Sequence, residues 1–118
     1  MKQNMRWLKT GLIIAIMLSL VGCKDEEKIR ENCQTYVGAM KKFFDGNAMA
    51  LYASKAASFK RMYEIVNEEG MGIDVVSMGE IFTAMKAGFP LSKAYFHNNN
   101  KSDADISYAM EQGVGYFI

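Results

Sequence analysis

Ile29, Cys33, Tyr36, Val37, Met40, Phe43 and Phe44 recur at helical spacing, and Asp45-Gly46-Asn47 then interrupts the pattern. The spacing predicts one amphipathic helix that ends at the interruption. Beyond it a shorter unit repeats: an apolar run, a polar junction, an amphipathic segment and a glycine. The apolar runs are Ala48 to Ala53, Gly72 to Val76, Ala94 to Phe96 and Gly115 to Ile118. Helices are predicted between them, over Ser58 to Glu69, Met78 to Ala87 and Ser102 to Gln112. Gly70, Gly88 and Gly113 stand where a left-handed residue would close each helix, and Pro90 follows the second.

Short strands alternating with helices of this length imply right-handed βαβ units, hence an α/β fold on a parallel sheet. Functional groups in such folds collect at the carboxyl ends of the strands. That rule selects Lys55 after the first run, Asp74 to Ser77 at the second and His97 to Lys101 after the third, all on one rim.

Composition narrows the reading. The chain has 118 residues, half of them apolar, and a net charge of +1, which is the make-up of a globular domain and not of a disordered tail. The basic pairs Lys41-Lys42 and Lys60-Arg61 fall within helical patterns and read as solvated faces, so no nucleic-acid partner is expected. Two cysteines and a single histidine offer neither a disulfide framework nor metal-ligand spacing. The ten methionines read as core filler. Residues 1–23 differ from the rest: Lys2, Arg6 and Lys9 precede an apolar run from Gly11 to Val21, as in a signal peptide, and the run is short for a membrane span. The expected organisation is therefore a leader over 1–23 and one domain over 24–118. A buried N-terminal helix or a misplaced start is the alternative for the leader.

Lys55 lies in Leu51-Tyr52-Ala53-Ser54-Lys55-Ala56, where an apolar strand delivers an amine to the rim between small residues. Two readings fit the pattern: a partly desolvated amine able to condense with an aldehyde, or a lysine snorkelling at a strand end. Asp74 and His97 are each open between a pocket role and a structural one. Ser77 to Glu80 has the form of a capping box, and Ser102 with Asp105 marks a second helix start.

Tyr52-Ala53-Ser54-Lys55-Ala56 resembles the cofactor-linking segment of the alanine-racemase-like, fold-type III pyridoxal-phosphate (PLP) enzymes. Gly72-Ile73-Asp74-Val75-Val76-Ser77-Met78-Gly79-Glu80, followed by Ala87-Gly88-Phe89-Pro90, resembles their second βα unit. Phe96-His97-Asn98-Asn99-Asn100-Lys101-Ser102 resembles the third-strand motif of the diaminopimelate decarboxylase branch. Leu20-Val21-Gly22-Cys23 resembles the lipobox of bacterial lipoproteins. Two positions depart from the decarboxylase pattern: Asn98 stands where a glycine is usual, and Met78-Gly79 where paired glycines are common. Asparagine tolerates left-handed backbone angles, so the first change is expected to be mild.

The resemblance implies a partial (β/α)8 barrel of alanine-racemase-like type, with about four parallel strands and intervening helices. It implies pyridoxal 5'-phosphate as cofactor, Lys55 as catalytic residue and covalent anchor, and Asp74 and His97 at the cofactor. It also implies a PLP-dependent carboxy-lyase acting on a small amino acid, no resident metal and a homodimer. The phosphate loop and the acidic partner of the pyridine nitrogen belong to later barrel units, so this chain is expected to be an N-terminal fragment, truncated or chimeric, and inactive alone. An open four-stranded piece leaves unpaired edges and is expected to be marginally stable. A cytoplasmic location follows from the enzyme family, and membrane anchoring only from the leader through Cys23. A lipid-anchored, non-catalytic envelope protein and another fold-type III decarboxylase or PLP carrier are the competing readings.

Overall fold

The structure, a computed structural model, describes residues 25–118; the leader and the Cys23 lipobox lie outside the described residues. The chain divides into two compact units, Met1–Asn32 and Cys33–Ile118. In the first, residues 25–32 are helical and carry two ion pairs along the helix, Glu26 with Arg30 and Lys28 with Glu31, each at 3.0 Å. Both are short-range pairs of the kind that supports a helix by only a few tenths of a kcal/mol, roughly 0.2–0.5. No helix among the described residues is long and apolar enough to cross a membrane.

The second unit continues the helix to residue 44 (α1, 25–44 in all) and then alternates strands with helices. β1 is Leu51–Ala53, α2 Lys60–Glu68, β2 Gly72–Val75, α3 Met78–Lys86, β3 Ala94–Phe96, α4 Asp103–Glu111 and β4 Tyr116–Phe117. The four strands form one sheet in the order β1-β2-β3-β4, every pair parallel. Strands and helices thus fall where the apolar runs placed them, with shorter strands than the runs suggest. Residues 48–50 precede the ladder, whose first bond at this end is donated by the Gly72 amide to the Ala50 carbonyl at 3.0 Å.

One face of the sheet holds the core. Ile73 and Val75 of β2 and Ala94 and Phe96 of β3 are fully buried, as are Tyr63 and Val66 of α2 and Ile81 and Ala84 of α3. The period of two along each strand therefore meets a helical stripe on α2 and α3, which is what the polar and apolar spacing predicts. The methionine expectation is only partly met: Met62 and Met71 are buried, whereas Met49, Met78 and Met110 are exposed. The stripe on α1 also departs from expectation. Cys33 is buried, but Tyr36, Phe43 and Phe44 are more than half exposed.

The three helices that follow strands end alike. Gly70, Gly88 and Gly113 adopt φ of 81°, 73° and 79°. Their amides bond back to Asn67, Met85 and Met110, while those of Met71, Phe89 and Val114 reach the carbonyls of Val66, Ala84 and Ala109. This is the paired bonding of a Schellman termination, and Met71, Phe89 and Val114 are buried, which seats each helix end against the core. Only glycine takes that left-handed position without the Cβ penalty.

Helix starts are less uniform. The α2 start departs from the expected Ser58: Phe59 is the N-cap and gives no side-chain bond, while the Ser58 hydroxyl pairs with that of Tyr63 at 3.0 Å. At α4, Ser102 and Asp105 form a reciprocal capping box, and hydrogen bonds from Ser102 hold the Asp105 carboxyl below its ordinary range. A depressed carboxyl stabilises the fold above its ordinary titration range and loses that contribution as pH falls through the lowered folded-state value. Asp105→Asn is therefore expected to lower stability at neutral pH and to flatten its loss in acid, measured as urea midpoints across a pH series.

Candidate functional site

Register decides which side chains share the sheet's other face. Ala53 pairs with Asp74, Asp74 with Tyr95 and Tyr95 with Tyr116, one row across all four strands. In parallel strands paired residues project to the same side, so Ala53, Asp74, Tyr95 and Tyr116 line the face turned from the helices. Tyr95 and Tyr116 stack at 4.2 Å with planes 8° apart. Partial desolvation, followed by the neighbouring Tyr116, raises the Tyr95 hydroxyl above its usual titration range.

Lys55 sits two residues beyond the position paired with Asp74, in the short 3-10 turn Ser54–Ala56 at the carboxyl end of β1. It is exposed, and among the described residues nothing holds its ammonium. The turn itself is fixed. Ser54 is fully buried, and the Tyr52 hydroxyl donates to the Ala57 carbonyl at 3.0 Å, tying the strand to the far side of the turn. Burial raises the Tyr52 hydroxyl above its ordinary value, which keeps it a donor.

The structure brings Asp74 and His97 together. His97 Nδ1 lies 3.9 Å from Asp74 Oδ2, an ion pair when the imidazole is protonated. The other oxygen, Oδ1, is buried with no hydrogen-bond partner, and so is the Ser54 hydroxyl. An unsatisfied buried acceptor costs about 1–3 kcal/mol, so Asp74 carries a demand for a donor that the described residues do not meet.

Ser77 and Glu80 behave as caps. Ser77 Oγ accepts from the Glu80 amide at 3.2 Å, and the Glu80 carboxylate accepts from the Val76 amide at 2.7 Å, one residue before the N-cap. Glu80 is thus spent on the end of β2. Asn98 departs from the reasoning applied to it. Among the described residues Asp45 is the only non-glycine with positive φ, at 51°, so Asn98 uses no left-handed freedom. Its side chain instead donates to the Val76 carbonyl at 3.0 Å and accepts from the Asn100 amide at 3.0 Å. Lys101 Nζ donates to the Asn98 carbonyl at 2.7 Å and also to the Ile118 carbonyl. The sequence pattern did not single out Tyr52, and it marked Asn98 only as a departure from the usual glycine. Both lie inside the quoted motifs, but no spacing rule gives side chains their bonding partners. No group of three His, Cys, Asp or Glu able to hold a metal occurs among the described residues.

Lys55, Asp74 and His97 thus fall at or near the carboxyl ends of the first three strands. Residues 26–118 match the pyridoxal-dependent decarboxylase family in its pyridoxal binding domain, and the chain belongs to that family. It is similar to the diaminopimelate decarboxylase of Staphylococcus aureus strain COL, with 44% identity over 95 residues, 80% of this chain and 22% of that protein. Among solved structures it resembles diaminopimelate decarboxylase from M. jannaschi, with a TM-score of 0.70 and 30% identity over 78% of this chain and 22% of that one. It also resembles a mutant of the Helicobacter pylori enzyme complexed with L-lysine, with a TM-score of 0.63 and 27% identity over 75% of this chain and 23% of that one. The chain spans about a fifth of the length of these relatives. The four parallel strands are accordingly an arc of a (β/α)8 barrel, and the cofactor of the domain is pyridoxal phosphate.

The residues present fit that cofactor. Among the described residues the exposed amine of Lys55 has no competing partner, and Asp74 has a buried oxygen in need of a donor. Lys55 is the residue that would hold the cofactor.

Proposed function

We propose that the chain is the lysine-bearing segment of a diaminopimelate decarboxylase, which converts meso-2,6-diaminopimelate to L-lysine and CO2 in lysine biosynthesis. The carrying observation is Lys55, exposed on the carboxyl rim and without a partner among the described residues, in a turn pinned by Tyr52 next to the strand that bears Asp74. Similarity to diaminopimelate decarboxylases in both sequence and structure supports this substrate.

When bound, pyridoxal phosphate supplies an electron sink for the charge left by loss of CO2. The chain's own residues do the rest within this segment. Lys55 would hold the cofactor through Nζ, from the turn at the end of β1. Its amine would also be the group of this segment able to accept or deliver a proton. Asp74, on the neighbouring strand, would order the surroundings of Lys55, with His97 Nδ1 3.9 Å from its carboxylate. A homodimer belongs to the same reading, whereas membrane attachment through residues 1–23 belongs to the competing, lipid-anchored one, which incorporation of labelled palmitate at Cys23 would reveal.

The direct test is chemical. The chain is incubated with PLP, reduced with borohydride, digested and mapped by mass spectrometry. The label is expected at Lys55 ahead of the other exposed lysines. Even labelling, or preference for a different lysine, overturns the assignment.

A further inference from the structure

We propose that Asn98 is a positioning residue that sets the His97–Asp74 pair, by stapling the segment after β3 to the end of β2. The argument starts from the backbone. The His97 amide donates to the Val75 carbonyl at 2.9 Å, the last bond of the β2–β3 ladder. The carbonyl of Val76, one residue past β2, lies outside this ladder. Asn98 Nδ2 takes it at 3.0 Å. The side chain thus extends the pairing by one residue beyond the strands, on the segment that carries His97.

Three further bonds make the staple rigid. Asn98 Oδ1 accepts from the Asn100 amide at 3.0 Å, so the side-chain amide is fixed at both ends. Lys101 Nζ fixes the Asn98 carbonyl at 2.7 Å and lies 5.5 Å above the Phe96 ring. Val76 is held from its other side, because its amide donates to the Glu80 carboxylate at 2.7 Å. The peptide groups flanking Asp74 and His97 are therefore clamped between α3 and the segment following β3. His97 itself is about half exposed, and among the described residues its imaginable partner is Asp74 alone at ion-pair distance. With no burial to hold the ring, its position depends on the backbone that carries it, and Asn98 is what fixes that backbone. A glycine in this place, with neither the donor nor the acceptor, could not make the staple.

The catalytic half of the inference rests on the reading of Lys55 given above; the positioning half does not. The closing experiment separates them. The chain has a single histidine, so nitrogen-15 labelling of histidine yields one imidazole in the spectrum. Asn98→Gly and Asp74→Asn are expected to move its Nδ1 resonance to the same place, and the double variant is expected to add nothing, because both remove one interaction. An unmoved resonance in Asn98→Gly, or independent shifts that sum in the double variant, overturns the proposal. Should Asn98→Gly fail to fold, Asn98→Asp keeps the side chain's size and its bond to Asn100 while losing the donor to Val76, and is read the same way. PLP capture at Lys55, followed by borohydride trapping, is expected to slow by up to about a hundredfold in the same variants. Normal capture alongside a shifted imidazole confines Asn98 to structure and overturns the catalytic half. Absence of capture at Lys55 in the parent chain strikes the functional reading and leaves the imidazole result standing.

Discussion

Lys55→Ala is expected to abolish PLP-dependent decarboxylation, by a factor on the order of 10³ or more, while leaving the fold intact. The size follows from two losses that fall on one atom. In the proposed reading Nζ is both the anchor for the cofactor and a carrier of protons, a role that alone is worth roughly 10²–10⁴. Little stability should go with it. The side chain is exposed and makes no bond among the described residues, and the turn is held by Tyr52 and buried Ser54. The measurement uses a chimera in which residues 25–118 replace the matching segment of the S. aureus relative. Decarboxylation of diaminopimelate, ornithine and arginine is compared in the parent chimera and in Lys55→Ala. A folded parent chimera that prefers ornithine or arginine contradicts the proposed substrate, and a Lys55→Ala chimera that keeps its rate contradicts the role of the lysine.

The second large effect lies at the opposite end of the strands. A Cβ on Gly115 would stand 2.1 Å from the Ser92 carbonyl oxygen and 2.8 Å from its carbon, both backbone. Neither atom can turn away as a flexible side chain would, and the Gly115 amide is itself bonded to the Leu91 carbonyl at 3.0 Å. Gly115→Ala should therefore cost about 3 kcal/mol or more, the upper end of overpacking effects. Gly72 is similar but softer, since a Cβ there meets the Leu51 and Met49 side chains at 2.6 and 2.8 Å as well as the Lys93 carbonyl at 2.8 Å. Gly38 is the control. It lies inside α1 with nothing within 4 Å, so Gly38→Ala should stabilise by about 0.5–1 kcal/mol through helix propensity. Urea midpoints of the three variants should rank in that order, and a Gly115→Ala chain as stable as its parent would refute the close approach.

Much of the fold is legible in the sequence because its signals are local. The alternation along Gly72 to Val76, the stripe Met62, Tyr63, Ile65, Val66, and the glycines at 70, 88 and 113 each state a backbone preference without reference to distant residues. The site is legible only in part. Lys55, Asp74 and His97 are placed on one rim by the rule for parallel sheets, but their pairing depends on register, and register is a property of two strands at once. Asp74 beside His97 and Asn98 on Val76 follow from it, while Tyr52 on Ala57 is a bond from a strand to its own following turn. Ser58 misled for a related reason: its hydroxyl has two possible partners, a local amide and the Tyr63 hydroxyl, and tertiary packing selects the second. The exposed aromatics of α1 show the converse limit, since helical spacing marks a stripe as apolar without saying what covers it.

The tight glycine seats occupy one end of the sheet, and the amine, carboxylate and imidazole occupy the other. Selection for durability and selection for reactivity therefore act on separate sets of codons in this chain. Randomising the junctions after β1, β2 and β3 should yield libraries rich in folded members with altered chemistry, whereas equal randomisation of the entries into β2 and β4 should yield mostly insoluble ones.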